Sequence, residues 1–213
     1  MDFLPSFPTL LAFAAATLLL AATPGPDMTL SISRALAQGK KAALFVVLGT
    51  SLGIVVHTML VAFGISALIT ASPTAFLILK TGGAAYLFWL AVQAIRFGSK
   101  LTVAKVDGPK GTILSNISSG FWVNLLNPKV IIFFMTFLPQ FVSANDPAVT
   151  HKLLFLGFCF IVIGMPVNAA VVMAADWLSS WLQNNRKVLR GMDYTFAGVF
   201  SIFAVKIFMT QGR

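Results

Sequence analysis

Two ionisable residues sit inside long apolar stretches, and each adjoins a proline. Asp27 closes the run Thr23-Pro24-Gly25-Pro26-Asp27, and Lys129 closes Asn127-Pro128-Lys129. A proline within a helix removes one donor and clashes with the carbonyl four residues back. Pro24 and Pro26 should therefore free the carbonyls of Leu20 and Ala22, and Pro128 that of Asn124. Gly25, between two prolines, allows dihedrals that other residues resist. A charge at the centre of a membrane helix costs at least ~2.5–3.5 kcal/mol, so such residues are normally paired and functional. Together the two runs offer a carboxylate able to carry a proton, an ammonium able to hold a carboxylate, and bare carbonyls able to accept from an ammonium. Asp27 also suits the N-cap of a helix resuming at Met28, and Lys129 suits its counter-ion.

Other polar residues fall near these two. His57, near the centre of an apolar stretch, can titrate close to neutral pH or serve as a neutral hydrogen-bonding group between helices. Asn124 lies one turn before Pro128, and Asn168 two residues after Pro166. The candidate substrate-binding set is thus Pro24, Gly25, Pro26, Asp27, Asn124, Asn127, Pro128, Lys129 and Asn168. The candidate proton-coupling pair is Asp27 and His57.

The elements that must position these groups are membrane helices. The chain has 213 residues, of which 58% are hydrophobic and 10% charged, with a mean hydropathy of +0.89. Soluble domains are nearer 45–50% and 25%. Six stretches are long enough to cross about 30 Å of hydrocarbon: Thr9–Ser33, Ala42–Thr70, Pro73–Ile95, Ile113–Val142, Leu153–Leu182 and Val188–Met209. None shows the ~10-residue alternation of a barrel strand. Helices follow, because backbone in hydrocarbon must satisfy its own hydrogen bonds. The first stretch lacks the basic flank of a cleaved signal; its preceding charge is Asp2, and it reads as a retained span.

The net charge of +9 is concentrated in loops. Arg34, Lys40 and Lys41 follow the first span; Arg96, Lys100, Lys105 and Lys110 the third; Arg186, Lys187 and Arg190 the fifth. These are ten of the 15 basic residues. The positive-inside rule places those loops in the cytoplasm and both termini outside. A lipid bilayer, rather than nucleic acid, is the partner such basicity implies. The hydrophilic stretch at 99–111 divides one transmembrane domain into halves of about 1–98 and 112–213. Three spans per half make the halves enter from opposite sides, as in the inverted repeats of secondary transporters. Each half opens with a proline-interrupted helix, which points to a binding site between them.

Several chemistries lack their residues. There is no Gly-x-x-x-x-Gly-Lys phosphate loop, no zinc-ligand spacing and no nucleophile elbow. The single cysteine, Cys159, forms no two-thiol centre within one chain. No cofactor and no enzymatic activity are expected. Gly49 and Gly53 form a G-x-x-x-G, and Gly82-Gly83-Ala84-Ala85 a small-residue patch. Both read as close helix packing, and such patches would suit a homodimer.

At its motifs the chain resembles the LysE/RhtB family of amino-acid exporters. The resemblance rests on Ala22-Thr23-Pro24-Gly25-Pro26-Asp27, on Gly83-Ala84-Ala85-Tyr86-Leu87 and on the run from Gly120 to Lys129, continued by Phe137-Leu138-Pro139-Gln140-Phe141. It covers nearly the whole chain in length, spacing and order. It implies a bacterial inner-membrane protein that expels an amino acid or close derivative, driven by the proton gradient. The alternative, a divalent metal-ion exporter of the wider superfamily, needs several hard or imidazole ligands, and the spans offer little beyond Asp27 and His57. With so few internal carboxylates, a neutral amino acid is the favoured cargo.

Overall fold

The computed structural model describes residues 4–97, 111–143 and 146–210. Most of the predicted 99–111 linker, with Lys100, Lys105 and Lys110, lies outside them. The described residues are almost entirely helical and contain no strand. In order the elements are α1 (Phe7–Ala22), α2 (Pro26–Gln38), α3 (Lys40–Ala71), α4 (Pro73–Phe97), α5 (Ile113–Leu125), α6 (Pro128–Ile132), α7 (Val149–Met173), α8 (Ala175–Asn184) and α9 (Arg186–Thr210).

Local sequence accounts for the boundaries. Ser6 caps α1 by accepting from the Thr9 amide, and Thr112 caps α5 through the Ser115 amide. Gly39 joins α2 to α3 at φ 90°, a left-handed conformation that favours glycine. Ser72 ends α3, and its hydroxyl accepts from Ala75 N–H as α4 begins. Beyond α6 the chain widens into a π-helical turn, Phe133–Phe137, and tightens into a 3-10 turn, Leu138–Phe141. Pro139 accounts for the change, since it brings no amide and its ring crowds the Met135 carbonyl.

Helices α3 and α7 are each long and apolar enough to cross a membrane. The pair α1/α2 is bent by 51°, and α5 with the continuous segment Pro128–Phe141 by 53°; each pair counted as one span makes four. Both bends fall at the proline motifs, as expected. The fifth stretch departs from expectation: α7 ends at Ala174, and α8 is a separate helix. Asp176 in the first turn of α8 favours a helix start there, and it reaches Lys40 at 3.9 Å. Trp177 and Trp181, one turn apart, stack on a common face. Pro166, by contrast, sits inside α7 without breaking it.

Helix α3 is central, packing along α5 and α7, while α4 packs along α9. The approach of α3 to α5 depends on small residues. A Cβ on Gly49 would lie 2.0 Å from the Ile117 carbonyl oxygen, and one on Gly120 would lie 2.1 Å from that of Val46. Gly49 and Gly53 are therefore packing glycines, as read from sequence. For Gly82, nothing among the described residues stands within 4 Å of the place its Cβ would take. The main core is aromatic: Phe13, Phe133, Phe134, Phe137 and Phe160 are buried together, with Cys159 packed against them. Leu60, Phe63 and Leu114 are among many large apolar side chains facing outward, as a chain surrounded by lipid requires.

Candidate functional site

The first break is open on its carbonyl side. The Thr23 amide and hydroxyl both donate to the Leu19 carbonyl, at 3.0 and 2.7 Å. Pro24 has no amide to offer Leu20. The Lys129 ammonium fills the gap, donating to the carbonyls of Leu20 at 3.0 Å and Thr23 at 2.8 Å. The freed Leu20 carbonyl expected from Pro24 is thus present and engaged. Gly25 lets the ammonium approach: a Cβ there would stand 3.2 Å from Lys129 Nζ.

The second break is closed on itself. The Leu126 amide donates to Trp122 O and the Asn127 amide to Asn124 O, each at 3.0 Å. Asn127 Oδ1 then caps the next helix by accepting from Lys129 N–H at 3.0 Å. Just before this break, Asn124 crosses to the other half and donates from Nδ2 to Asp27 Oδ2 at 2.8 Å. His57 Nε2 lies 3.4 Å from the Asn124 carbonyl, its ring 5.7 Å from that of Phe134. Asp27 and Lys129 share the site, but among the described residues no ion pair joins them. The ammonium's two partners are carbonyls, so Lys129 is not the direct counter-ion of Asp27.

A cavity of about 50 Å³ lies where the breaks meet, room for roughly three or four waters. Gly25, Asp27, Asn124, Asn127, Lys129 and Asn168 all line it. Pro24, Pro26 and Pro128 do not; they act by breaking helices. His57 is also outside the lining, one hydrogen bond behind Asn124. Sequence reasoning missed Thr50 and Ser51 of α3 and Gly164 of α7, which complete the wall. The adjacent Thr50-Ser51 pair inside an apolar span was the available signal.

Three lining residues each keep one buried polar atom without a hydrogen-bond partner: Asp27 Oδ1, Asn124 Oδ1 and Asn127 Nδ2. The Asn127 side chain lies near the Asp27 carboxylate, but outside hydrogen-bond geometry. The network itself fixes both amide orientations, since Asn124 must donate to a carboxylate and Asn127 must accept from an amide N–H. Buried polar atoms are normally paired. The Asp27 carboxylate and the Asn127 amide stand close together, and Asn124 Oδ1 packs against Gly53; all three residues belong to the polar lining of the cavity. Among the described residues no cluster of three His, Cys, Asp or Glu stands ready to hold a metal ion.

The chain is similar to known membrane proteins. A family model for the LysE type translocator matches residues 18–211. A homoserine/homoserine lactone efflux protein of Salmonella typhimurium is 28% identical over 194 residues, spanning 90% of this chain and 91% of the relative. A Vibrio cholerae membrane protein is 31% identical over 192 residues, spanning 89% and 91%. A leucine efflux protein of Klebsiella pneumoniae is 24% identical over 188 residues, spanning 88% and 89%. No solved structure matches the chain. A model match from the end of α1 to the C-terminal residues takes in both proline breaks and the cavity between them, and the chain belongs to the LysE-type translocator family.

Proposed function

We propose that the protein is a secondary transporter exporting an amino acid or close derivative from the bacterial cytoplasm by proton antiport. The observation that carries the reading is the junction of the two breaks, where Asp27, Asn124 and Lys129 meet around one cavity. An α-amino acid presents a carboxylate and an ammonium a few ångströms apart. Lys129 and Asn127 Nδ2 suit the carboxylate. The Asp27 and Asn124 oxygens and the carbonyls of the first break suit the ammonium. Relatives named for homoserine/homoserine lactone and for leucine efflux support a small, uncharged side chain.

Asp27 carries the proton in this reading. Cargo ammonium and proton compete for one carboxylate, which is the elementary requirement of antiport. His57, bonded to the Asn124 carbonyl, couples the second half to that titration. One charge crossing 100 mV is worth about 2.3 kcal/mol, which sustains a roughly fifty-fold gradient. The inner membrane, cytoplasmic basic loops and outward termini complete the proposal. Two inverted three-span repeats are supported by the pairing of α3 with α7 and of α4 with α9, equivalent helices in such a scheme.

The test is transport of labelled amino acids by the purified protein in vesicles under an imposed pH gradient. Gradient-driven accumulation of a neutral amino acid supports the reading. Transport that ignores the gradient removes the antiport, and micromolar binding of a divalent cation would favour the metal-exporter alternative.

A further inference from the structure

We infer that Lys129 is an internal stand-in for the ammonium of the cargo, and that a zwitterion enters by insertion between Lys129 and the carbonyls it holds. The inference rests on the amino-acid reading above and adds how the site tells a zwitterion from a cation.

The geometry is that of a site already liganded by its own side chain. The Leu20 and Thr23 carbonyls belong to the first half, whereas Lys129 belongs to the second. The two hydrogen bonds are those a primary ammonium on a small ligand would make. Lys129 is held there by a flexible four-carbon stem, and Gly25 presents no side chain to wall it in.

Inserting a zwitterion conserves both charge and contacts. The Lys129 ammonium turns from the Leu20 and Thr23 carbonyls to the cargo carboxylate. The cargo ammonium takes the vacated carbonyls, beside the Asp27 carboxylate. No group is left unpaired, and no net charge is added to a buried place. A cargo with an ammonium and no carboxylate fares differently. It must expel Lys129 without offering it a partner, or share a small cavity with a second positive charge. Like charges in a poorly hydrated site repel strongly. Lys129 is thus a filter for zwitterions, and the carbonyl pair is kept satisfied while the site is empty.

The experiment uses two matched probe pairs, leucine with leucinamide and homoserine with homoserinamide, at a pH where each amide carries its ammonium. Binding is measured on the purified full-length protein in lipid nanodiscs. Wild type is expected to prefer the zwitterion of each pair tenfold or more. Lys129→Met vacates the carbonyls, so it should weaken zwitterion binding at least tenfold while strengthening binding of the matching cation. Lys129→Arg should keep the wild-type preference. Equal loss of both members, or no change in either, with the variant folded and monodisperse, overturns the inference. Should Lys129→Met not fold, Gly25→Ala serves instead. Its Cβ presses on Nζ and should narrow the preference severalfold, and an unchanged ratio overturns the inference. If wild type binds no member of either pair, the amino-acid reading itself falls and this inference with it.

Discussion

The two helix breaks bend the chain by nearly the same angle, 51° and 53°, by opposite means. At the first, prolines flank Gly25, α2 begins without a side-chain cap, and the Leu20 and Thr23 carbonyls look outward for donors. At the second, Asn127 caps the following helix and backbone amides tie off the turn. One break is needy and the other self-sufficient. The self-sufficient one can therefore spare Lys129 and Asn124, which it sends across to the first. A cavity assembled in this way exists only while the two breaks are together. Motion of one half against the other would take it apart.

The comparison breaks most completely at Asp27, the acceptor that the second half reaches through Asn124. Asp27→Asn keeps the size of the side chain and an oxygen for the Asn124 amide but removes the titrating carboxylate. Proton-driven export should fall a hundredfold or more in vesicles, with the protein still folded. Undiminished gradient-driven export would remove Asp27 from the coupling.

A smaller effect separates the crossing residue from its scaffold. A Cβ on Gly53 would lie 2.5 Å from Asn124 Oδ1 and 3.0 Å from its Cβ. Gly53→Ala should therefore displace Asn124 from Asp27 and lower export about tenfold. Gly64→Ala, on the same helix but with nothing within 4 Å, is the matched control and should export normally.

Much of this was legible in the sequence because proline and buried charge act locally. Pro24 and Pro128 announced where hydrogen bonds must fail, and the bends fall there. Asp27 and Lys129 announced themselves by the cost of burying them. What the sequence did not show is which group answers which. The spacing of Asp27 and Lys129 allowed a direct ion pair, yet Lys129 serves carbonyls and Asp27 receives an amide. That choice depends on how two halves separated by a hundred residues dock, which no local rule contains. The division of the fifth stretch into α7 and α8 was missed for a related reason. Apolar content persists through Ala174, and the start of a new helix is marked by little beyond Asp176 and the Trp177–Trp181 pair.

The self-sufficient break can be weakened by itself. Asn127→Ala deletes the side chain that caps the helix from Pro128, a loss typically of ~1 kcal/mol. The thermal midpoint should drop by a few degrees, and Asn127→Ser, which keeps a capping oxygen, should recover most of it. A drop equal in both variants would show that the backbone turn holds without its cap.

The smallest expected effect lies away from both breaks. In the loop before α7, the Asp146 carboxylate accepts from Lys152 in the first turn of α7 and, at 2.9 Å, from the Ala148 amide. Lys152 first, and the amide next, hold the Asp146 carboxyl below its ordinary range. A depressed carboxylate pKa adds stability that is complete above the ordinary carboxylate range and is lost as pH falls through the lowered value. Wild type should therefore exceed Asp146→Asn in thermal midpoint by a constant small margin at neutral pH. The margin should close only in acid, and salt should shrink it. Export should be the same in both proteins. If Asp146→Asn changes the pH dependence of export instead, proton coupling extends beyond the two breaks, and their division of labour no longer accounts for it.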